Sequence, residues 1–210
     1  MADIGNFDAI IFDLGGVLLN LDHDAPVRAF AGLGIPNFEA LYSKAVQSTL
    51  FTDLETGDIS PETFRERLRE YLPKNISDEI LDEAWNSILL DFRPGSIRFL
   101  EQLKEKCRTF LLSNTNAIHH AVFSNRLREN HGYSDIGELL EKAYYSHEVG
   151  MRKPHKPVFE YVIRESQLNP GNTLFIDDTE EHIITAQSLG LQTHHLQDHE
   201  TIEELLKELI

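Results

Sequence analysis

The sequence has one cysteine, Cys107, so no disulfide can form within the chain. With no catalytic partner evident nearby, Cys107 reads as a small buried or half-buried residue. Long apolar runs are also missing. No stretch approaches the ~18 consecutive apolar residues of a membrane helix. The opening residues, Met1-Ala2-Asp3-Ile4-Gly5-Asn6, lack the basic start and apolar stretch of a secretion signal. A cytoplasmic protein is expected. Positive charge is scarce: 19 Lys and Arg stand against 35 Asp and Glu, a net charge of −16. Such a surface repels nucleic acid and anionic membranes, so neither is expected as a partner. An anionic substrate would need its charge neutralised locally, by a bound divalent cation and a few placed lysines. Repeats and low-complexity tracts are absent.

What remains is an ordinary globular composition, 41% hydrophobic and 26% charged over 210 residues. That length suits one domain, or one domain carrying an insertion. Short apolar runs punctuate it at Ala9-Ile10-Ile11-Phe12, Thr109-Phe110-Leu111-Leu112, Ala143-Tyr144-Tyr145, Thr173-Leu174-Phe175-Ile176 and, weakly, Thr193 to Leu196. Runs apolar throughout suit strands covered on both faces. Helical patterns at Ser96 to Lys106, Ala117 to Glu129, Lys156 to Gln167 and Glu180 to Leu189 separate them. The alternation predicts an α/β fold, a Rossmann-like doubly wound parallel sheet.

One long gap breaks the alternation. Between the first two runs no strand is convincing, and the stretch reads helical: Asp24 to Gly32, Phe38 to Leu50, Ser60-Pro61 to about Tyr71, and Ser77 to about Leu89. An inserted all-helical domain is expected. The boundaries are residues 21–92 for the insertion, with 1–20 and 93–210 forming the core.

Ligands of such sheets bind at the carboxyl ends of the strands. The first run ends in Asp13, followed by Gly15-Gly16, where the backbone can turn tightly. The second ends in Ser113-Asn114, donors that can hold anionic oxygens or cap the next helix. The third leads to Arg152-Lys153-Pro154, cations in an acidic chain. The fourth ends in Asp177-Asp178, adjacent carboxylates whose repulsion a hard cation such as Mg²⁺ would relieve. Each feature alone has an ordinary explanation as a turn, a cap or a solvated loop. Together they point to one site.

Those residues resemble the haloacid dehalogenase-like hydrolase superfamily, in its phosphatase branch. The resemblance rests on Phe12-Asp13-Leu14-Gly15-Gly16-Val17, Leu112-Ser113-Asn114, Gly150-Met151-Arg152-Lys153-Pro154 and Phe175-Ile176-Asp177-Asp178, in that order. Within the superfamily the chain is similar to the bacterial α-D-glucose-1-phosphate phosphatases. Glu55-Thr56-Gly57-Asp58-Ile59-Ser60 and Leu111 to Asn116 support that grouping. The helical insertion resembles that family's cap. The resemblance implies an Mg²⁺-dependent phosphomonoesterase acting on a small phosphorylated metabolite, expected to be a sugar phosphate. Asp13 would be the nucleophile and Lys153 would neutralise the phosphoryl group. Ser113, Asn114, Leu14 and Gly15 would hold substrate. The metal would sit on Asp13, the Gly15 carbonyl, Asp178 directly, and Asp177 directly or through water.

The chain departs from that pattern at Gly15, where the family usually carries a second Asp for proton transfer. Such general acid-base help is worth ~10²- to 10⁴-fold. A good leaving group, or a substitute such as Asp22, His23 or a cap residue, would restore activity. A phosphate-binding domain with little turnover and a haloacid dehalogenase are the other readings. Asp22, His23, Phe51 and Arg65 are candidates for substrate contact. The pairs His119-His120 and His194-His195 are not expected to bind metal, and His147-Glu148 lies near the Lys153 loop. Trp85 and Phe92 read as apolar packing. Glu200 to Ile210 reads as a final amphipathic helix, packing on the core or joining a dimer interface; monomer and homodimer both remain open.

Overall fold

The computed structural model describes residues 7–33, 49–72 and 76–210. Among these residues there are seven strands: β1 (Ala9–Phe12), β2 (Leu19–Leu21), β3 (Leu89–Phe92), β4 (Arg108–Ser113), β5 (Lys142–Tyr145), β6 (Thr173–Asp177) and β7 (Gln192–His195). Five form one sheet in the order β5-β4-β1-β6-β7, and every pairing in it is parallel.

Side-chain alternation explains why these runs are apolar throughout. Ile10 and Phe12 face one buried cluster, while Ala9 and Ile11 face another on the opposite side. The first cluster is covered by α5 (Ser96–Leu103), α6 (Ala117–His131) and the short α10 (Ile202–Leu205). The second is covered by α8 (Lys156–Glu165) and α9 (Glu180–Ser188). Burying each large side chain contributes roughly 1.5–3 kcal/mol, and both faces of β1 collect it. The sheet is therefore doubly wound, as the alternation predicts. The chain runs from β1 to β4 on one side and places β6 on the other, so β1 ends at the switch point where ligands bind.

The stretch after β1 carries helices α1 (Ala25–Gly32), α2 (Leu50–Glu55), α3 (Pro61–Arg69) and α4 (Asp78–Asn86). Ser60 caps α3 through Thr63 N, and Ser77 caps α4 through Ile80 N, as their sequences predict. Of the expected helix from Phe38 to Leu50, residues 38–48 lie outside the described residues; Thr49 precedes α2 as its N-cap and Leu50 begins it. Phe30, Leu54, Phe64, Leu68, Leu81 and Trp85 build a separate apolar cluster for these helices, and Ile118 of α6 joins it.

Two corrections concern strands and the chain end. The gap holds β2 and β3, which pair antiparallel, Leu19 with Phe92 and Leu21 with Leu89. Their members lie far apart in sequence and are too short for a clear alternation. They form the two-stranded connection where the chain leaves the large sheet and returns to it. The final segment is no single helix: α10 is followed by a 3₁₀ turn at Lys207–Leu209. Ile202 and Leu206 are nevertheless buried in the core, as their spacing predicts. A four-residue helix, α7 (Ser146–Val149), was not anticipated. Among the described residues no helix is long and apolar enough to cross a membrane.

Candidate active site

Asp13 sits just past the central strand, with its N–H donating to the Ile176 carbonyl at 2.9 Å. Its own Oδ1 accepts from Leu14 N at 2.7 Å, which fixes the carboxylate at the strand tip, 8% exposed. The chain then turns back on itself: Gly16 N donates to Leu19 O at 2.9 Å. Gly16 has φ +69°, and a Cβ there would lie 1.9 Å from Asp178 Oδ2. Only glycine meets both demands, the left-handed backbone and the close carboxylate.

Lys153 arrives from the loop after α7 and is fully buried. Its Nζ lies 2.9 Å from Asp13 Oδ1 and 2.6 Å from Asp177 Oδ2. A buried ammonium is stable only when paired in this way. The loop that carries it is tied to the end of β4: Asn114 Nδ2 donates to Lys153 O and Lys153 N donates to Asn114 Oδ1, both at 2.9 Å. The Asn114 side chain thus positions Lys153. Ser146 locks the adjacent turn, accepting from Thr115 N at 2.9 Å and donating to Thr115 O at 2.8 Å.

The acidic pair splits in role. Asp177 is fully buried and accepts from Thr179 N at 2.8 Å, from Lys153, and from His182 Nδ1 at 3.0 Å. Asp178 lines a cavity, and its carbonyl accepts from His195 Nε2 at 2.9 Å. Nothing local marks His182, and His195 reads only as one of a pair not expected to bind metal; each reaches the site through the fold.

Carboxylate oxygens of Asp13, Asp177 and Asp178 lie within 4.8 Å of one another. Like charges at that range repel by ~3–4 kcal/mol at a surface-like dielectric. Burial raises the pKa of Asp13, and although Lys153 pulls it down, Asp177 and Asp178 push it further up. Burial also works against the Asp177 carboxylate, but Lys153 and His182 outweigh it and hold its pKa below the ordinary range. An all-oxygen cluster of this charge fits a hard divalent cation, which would relieve the repulsion on Asp13.

Above the cluster lies a cavity of about 310 Å³. The core contributes Asp13, Leu14, Gly15, Ser113, Asn114 and Asp178, so six of the predicted site residues meet on its wall. Lys153 and Asp177 support that wall from behind. The helical insertion contributes the roof, including His23, Glu55 and Trp85.

Of the four proposed contact residues, His23 lines the cavity and the other three do not. Asp22 is taken up by Arg28 at 2.5 Å and by the N–H groups of Asp24 and Ala25. Arg65 is paired with Asp82 at 2.7 Å. Phe51 stacks on Trp85, 4.9 Å between ring centres, inside the helical cluster. Trp85 packs as expected and also lines the cavity. Phe64 lies 5.6 Å from the Trp85 ring, and His119 stacks on it at 5.0 Å, with Nδ1 donating to Asn86 Oδ1 at 2.9 Å. Burial pushes the pKa of His119 down to about 3, so it is neutral. Its neighbour His120 turns away to Asp135 at 2.9 Å, so the two rings have different partners. Glu55 was missed as a site residue, because nothing local marks one acidic residue at a helix end as facing a cavity. Burial raises the Glu55 pKa, with Arg152 opposing.

Comparison with known proteins matches this arrangement. Residues 7–190 match the haloacid dehalogenase-like hydrolase family. The chain is 29% identical to D-ribitol-5-phosphate phosphatase of Bacteroides thetaiotaomicron, over 88% of this chain and 89% of that protein. It is 27% identical to the sesquiterpene phosphatase astK of Aspergillus oryzae, over 91% of each chain. A crystal structure of a HAD family enzyme from Bacteroides thetaiotaomicron, in complex with magnesium and inorganic phosphate, is 34% identical with a TM-score of 0.84. That match covers 95% of this chain and 98% of that one. The four strand-end motifs, the doubly wound sheet and the matched residues agree: the chain belongs to the haloacid dehalogenase-like hydrolase family.

Proposed function

We propose that this protein is an Mg²⁺-dependent phosphatase that hydrolyses a small phosphomonoester, a sugar or polyol phosphate, through an aspartyl-phosphate on Asp13. The observation that carries the reading is Asp13 itself. It is held by a buried lysine at 2.9 Å, beside two further carboxylates, at the floor of a roofed cavity.

Asp13, the Gly15 carbonyl and Asp178 would hold the cation, with Asp177 behind them. When bound, Mg²⁺ neutralises charge on the phosphoryl oxygens. Asp13 attacks phosphorus through one carboxylate oxygen as the bond from phosphorus to the leaving oxygen breaks, and the departing alkoxide takes its proton from water in the cavity, because Gly15 offers none. Lys153 opposes the charge that builds on the transferring group, and Ser113 donates to a phosphoryl oxygen. Water then attacks the acyl phosphate and frees Asp13. Asn114 acts by fixing Lys153, and its place on the cavity wall also lets it meet substrate.

The domain reading follows the same lines: residues 1–20 and 93–210 form the catalytic core and 21–92 the cap. The antiparallel pair β2 and β3 marks the crossing, which supports those boundaries. The relatives named for ribitol phosphate and terpenoid phosphates support a carbon-chain alcohol as leaving group.

A dehalogenase needs no cation, because its substrate carries no phosphoryl charge to neutralise and halide leaves without a proton. The three-carboxylate cluster speaks against that reading. The test is phosphate release from para-nitrophenyl phosphate and a panel of sugar and polyol phosphates. Release should stop in EDTA and return with Mg²⁺. Halide release from haloacids without metal, or no turnover under any metal condition, would overturn the proposal.

A further inference from the structure

The cavity above Asp13 has a one-sided charge. Among the described residues its wall carries three carboxylates, Asp13, Glu55 and Asp178, and no lysine or arginine. Two of these belong to the phosphoryl and cation sites on the floor. Glu55 does not: it ends α2, on the roof, where the leaving group of a substrate seated on Asp13 would lie.

Glu55 is fixed in place. The turn after it rests on the core, since a Cβ on Gly57, at φ +72°, would lie 2.3 Å from the His147 carbonyl oxygen. Arg152 Nη2 stands 3.1 Å from Glu55 Oε2, and Arg152 Nη1 donates to Thr52 Oγ1 at 3.1 Å. Arg152 is absent from the cavity wall while Glu55 is on it, so the carboxylate screens the guanidinium from the substrate space. Two histidines share the wall with it: His23, from the insertion, and His119, which burial keeps neutral.

We propose that Glu55 determines which substrates the site accepts. It admits leaving groups that present hydroxyl or ammonium groups, which a carboxylate can bind, and rejects those with a second phosphate or a carboxylate. The inference rests on the reading above that the transferred phosphoryl group sits at Asp13. A like charge facing a desolvated carboxylate should cost roughly 10- to 100-fold in kcat/KM.

The test uses esters of matched size with Mg²⁺: ribitol 5-phosphate, glucose 6-phosphate, glucosamine 6-phosphate, 6-phosphogluconate and fructose 1,6-bisphosphate. Wild type should favour the first three over the last two by at least about tenfold. Glu55→Gln should shrink that preference by about tenfold, mainly through KM, because Arg152 then faces the anion. Arg152→Met, which leaves Glu55 unopposed, should widen it. Equal kcat/KM across the panel, or an unchanged preference in Glu55→Gln, would overturn the role. If no ester is turned over, para-nitrophenyl phosphate included, the phosphatase reading fails by itself. The same panel is then titrated by calorimetry, and the ratio of Kd values between neutral and anionic esters decides the Glu55 inference.

Discussion

Gly16 and Asp178 are in such close register that a single methyl group on Gly16 would fall 1.9 Å from Asp178 Oδ2. The turn after β1 and the last acidic residue of the cluster are therefore fitted to each other. Gly16→Ala should strain a backbone at φ +69° by about 1 kcal/mol and also displace the Asp178 carboxylate. The second effect should dominate. Mg²⁺ affinity, followed by calorimetry, should drop by at least about tenfold while the thermal midpoint moves by only a few degrees. Unchanged Mg²⁺ affinity would remove Asp178 from the metal site.

Asn114 makes a sharper test of how Lys153 is placed. Asn114→Leu removes both bonds to the Lys153 backbone, each worth about 1 kcal/mol of stability. If the amide acts by fixing Lys153, kcat should drop by roughly 10- to 100-fold, a larger effect than the stability loss suggests. Asn114→Asp keeps one acceptor for Lys153 N and should fall between the two. A variant with wild-type kcat would show that the loop holds Lys153 without Asn114.

Much of this site is legible in the sequence because strands buried on both faces leave uninterrupted apolar runs. Polar residues that end such runs stand out, as Asp13, Ser113 and Asp177-Asp178 do. Lys153 stands out as a cation in an acidic chain. The unread parts depend on contacts between distant segments. The β2 and β3 strands are each a few residues long and find each other only across the whole insertion. His182 meets Asp177 through the first turn of α9, and Glu55 meets the cavity only because Gly57 seats its turn on the core. No spacing rule encodes those meetings.

Asp13 should lower the stability of the metal-free protein. Its pKa is raised from 3.8 to about 7 in the folded state, so the folded protein binds more protons there than the unfolded chain between those values. Stability from this group is therefore lost as pH rises through that window. Asp13→Asn should unfold at a higher temperature than wild type in EDTA, with a gap that widens from about pH 4 to neutral. Saturating Mg²⁺ should close the gap. A variant less stable than wild type in EDTA at neutral pH would contradict the crowding of charge described here.

His119 predicts sensitivity to acid. Burial lowers its pKa from 6.5 to about 3, so below 6.5 the unfolded chain binds a proton that the folded protein refuses. Stability is complete above that value and is lost as pH falls, by on the order of 2 kcal/mol at about pH 5. His147, held at about 4 by burial and by nearby His120, adds to the same trend. His119→Gln should flatten the slope of denaturant stability against pH below 6.5 by up to about 1.4 kcal/mol per pH unit. An identical slope in the variant would place the acid sensitivity elsewhere.

Attack of the Asp13 carboxylate on phosphorus is the step on which the proposed phosphatase function depends. Its most direct measurement is the rate of phosphate release from ribitol 5-phosphate with saturating Mg²⁺, for wild type and for Asp13→Asn folded to the same extent. The variant should be slower by at least roughly 10³-fold, because an amide cannot form the acyl phosphate. Equal rates in the two proteins would contradict it.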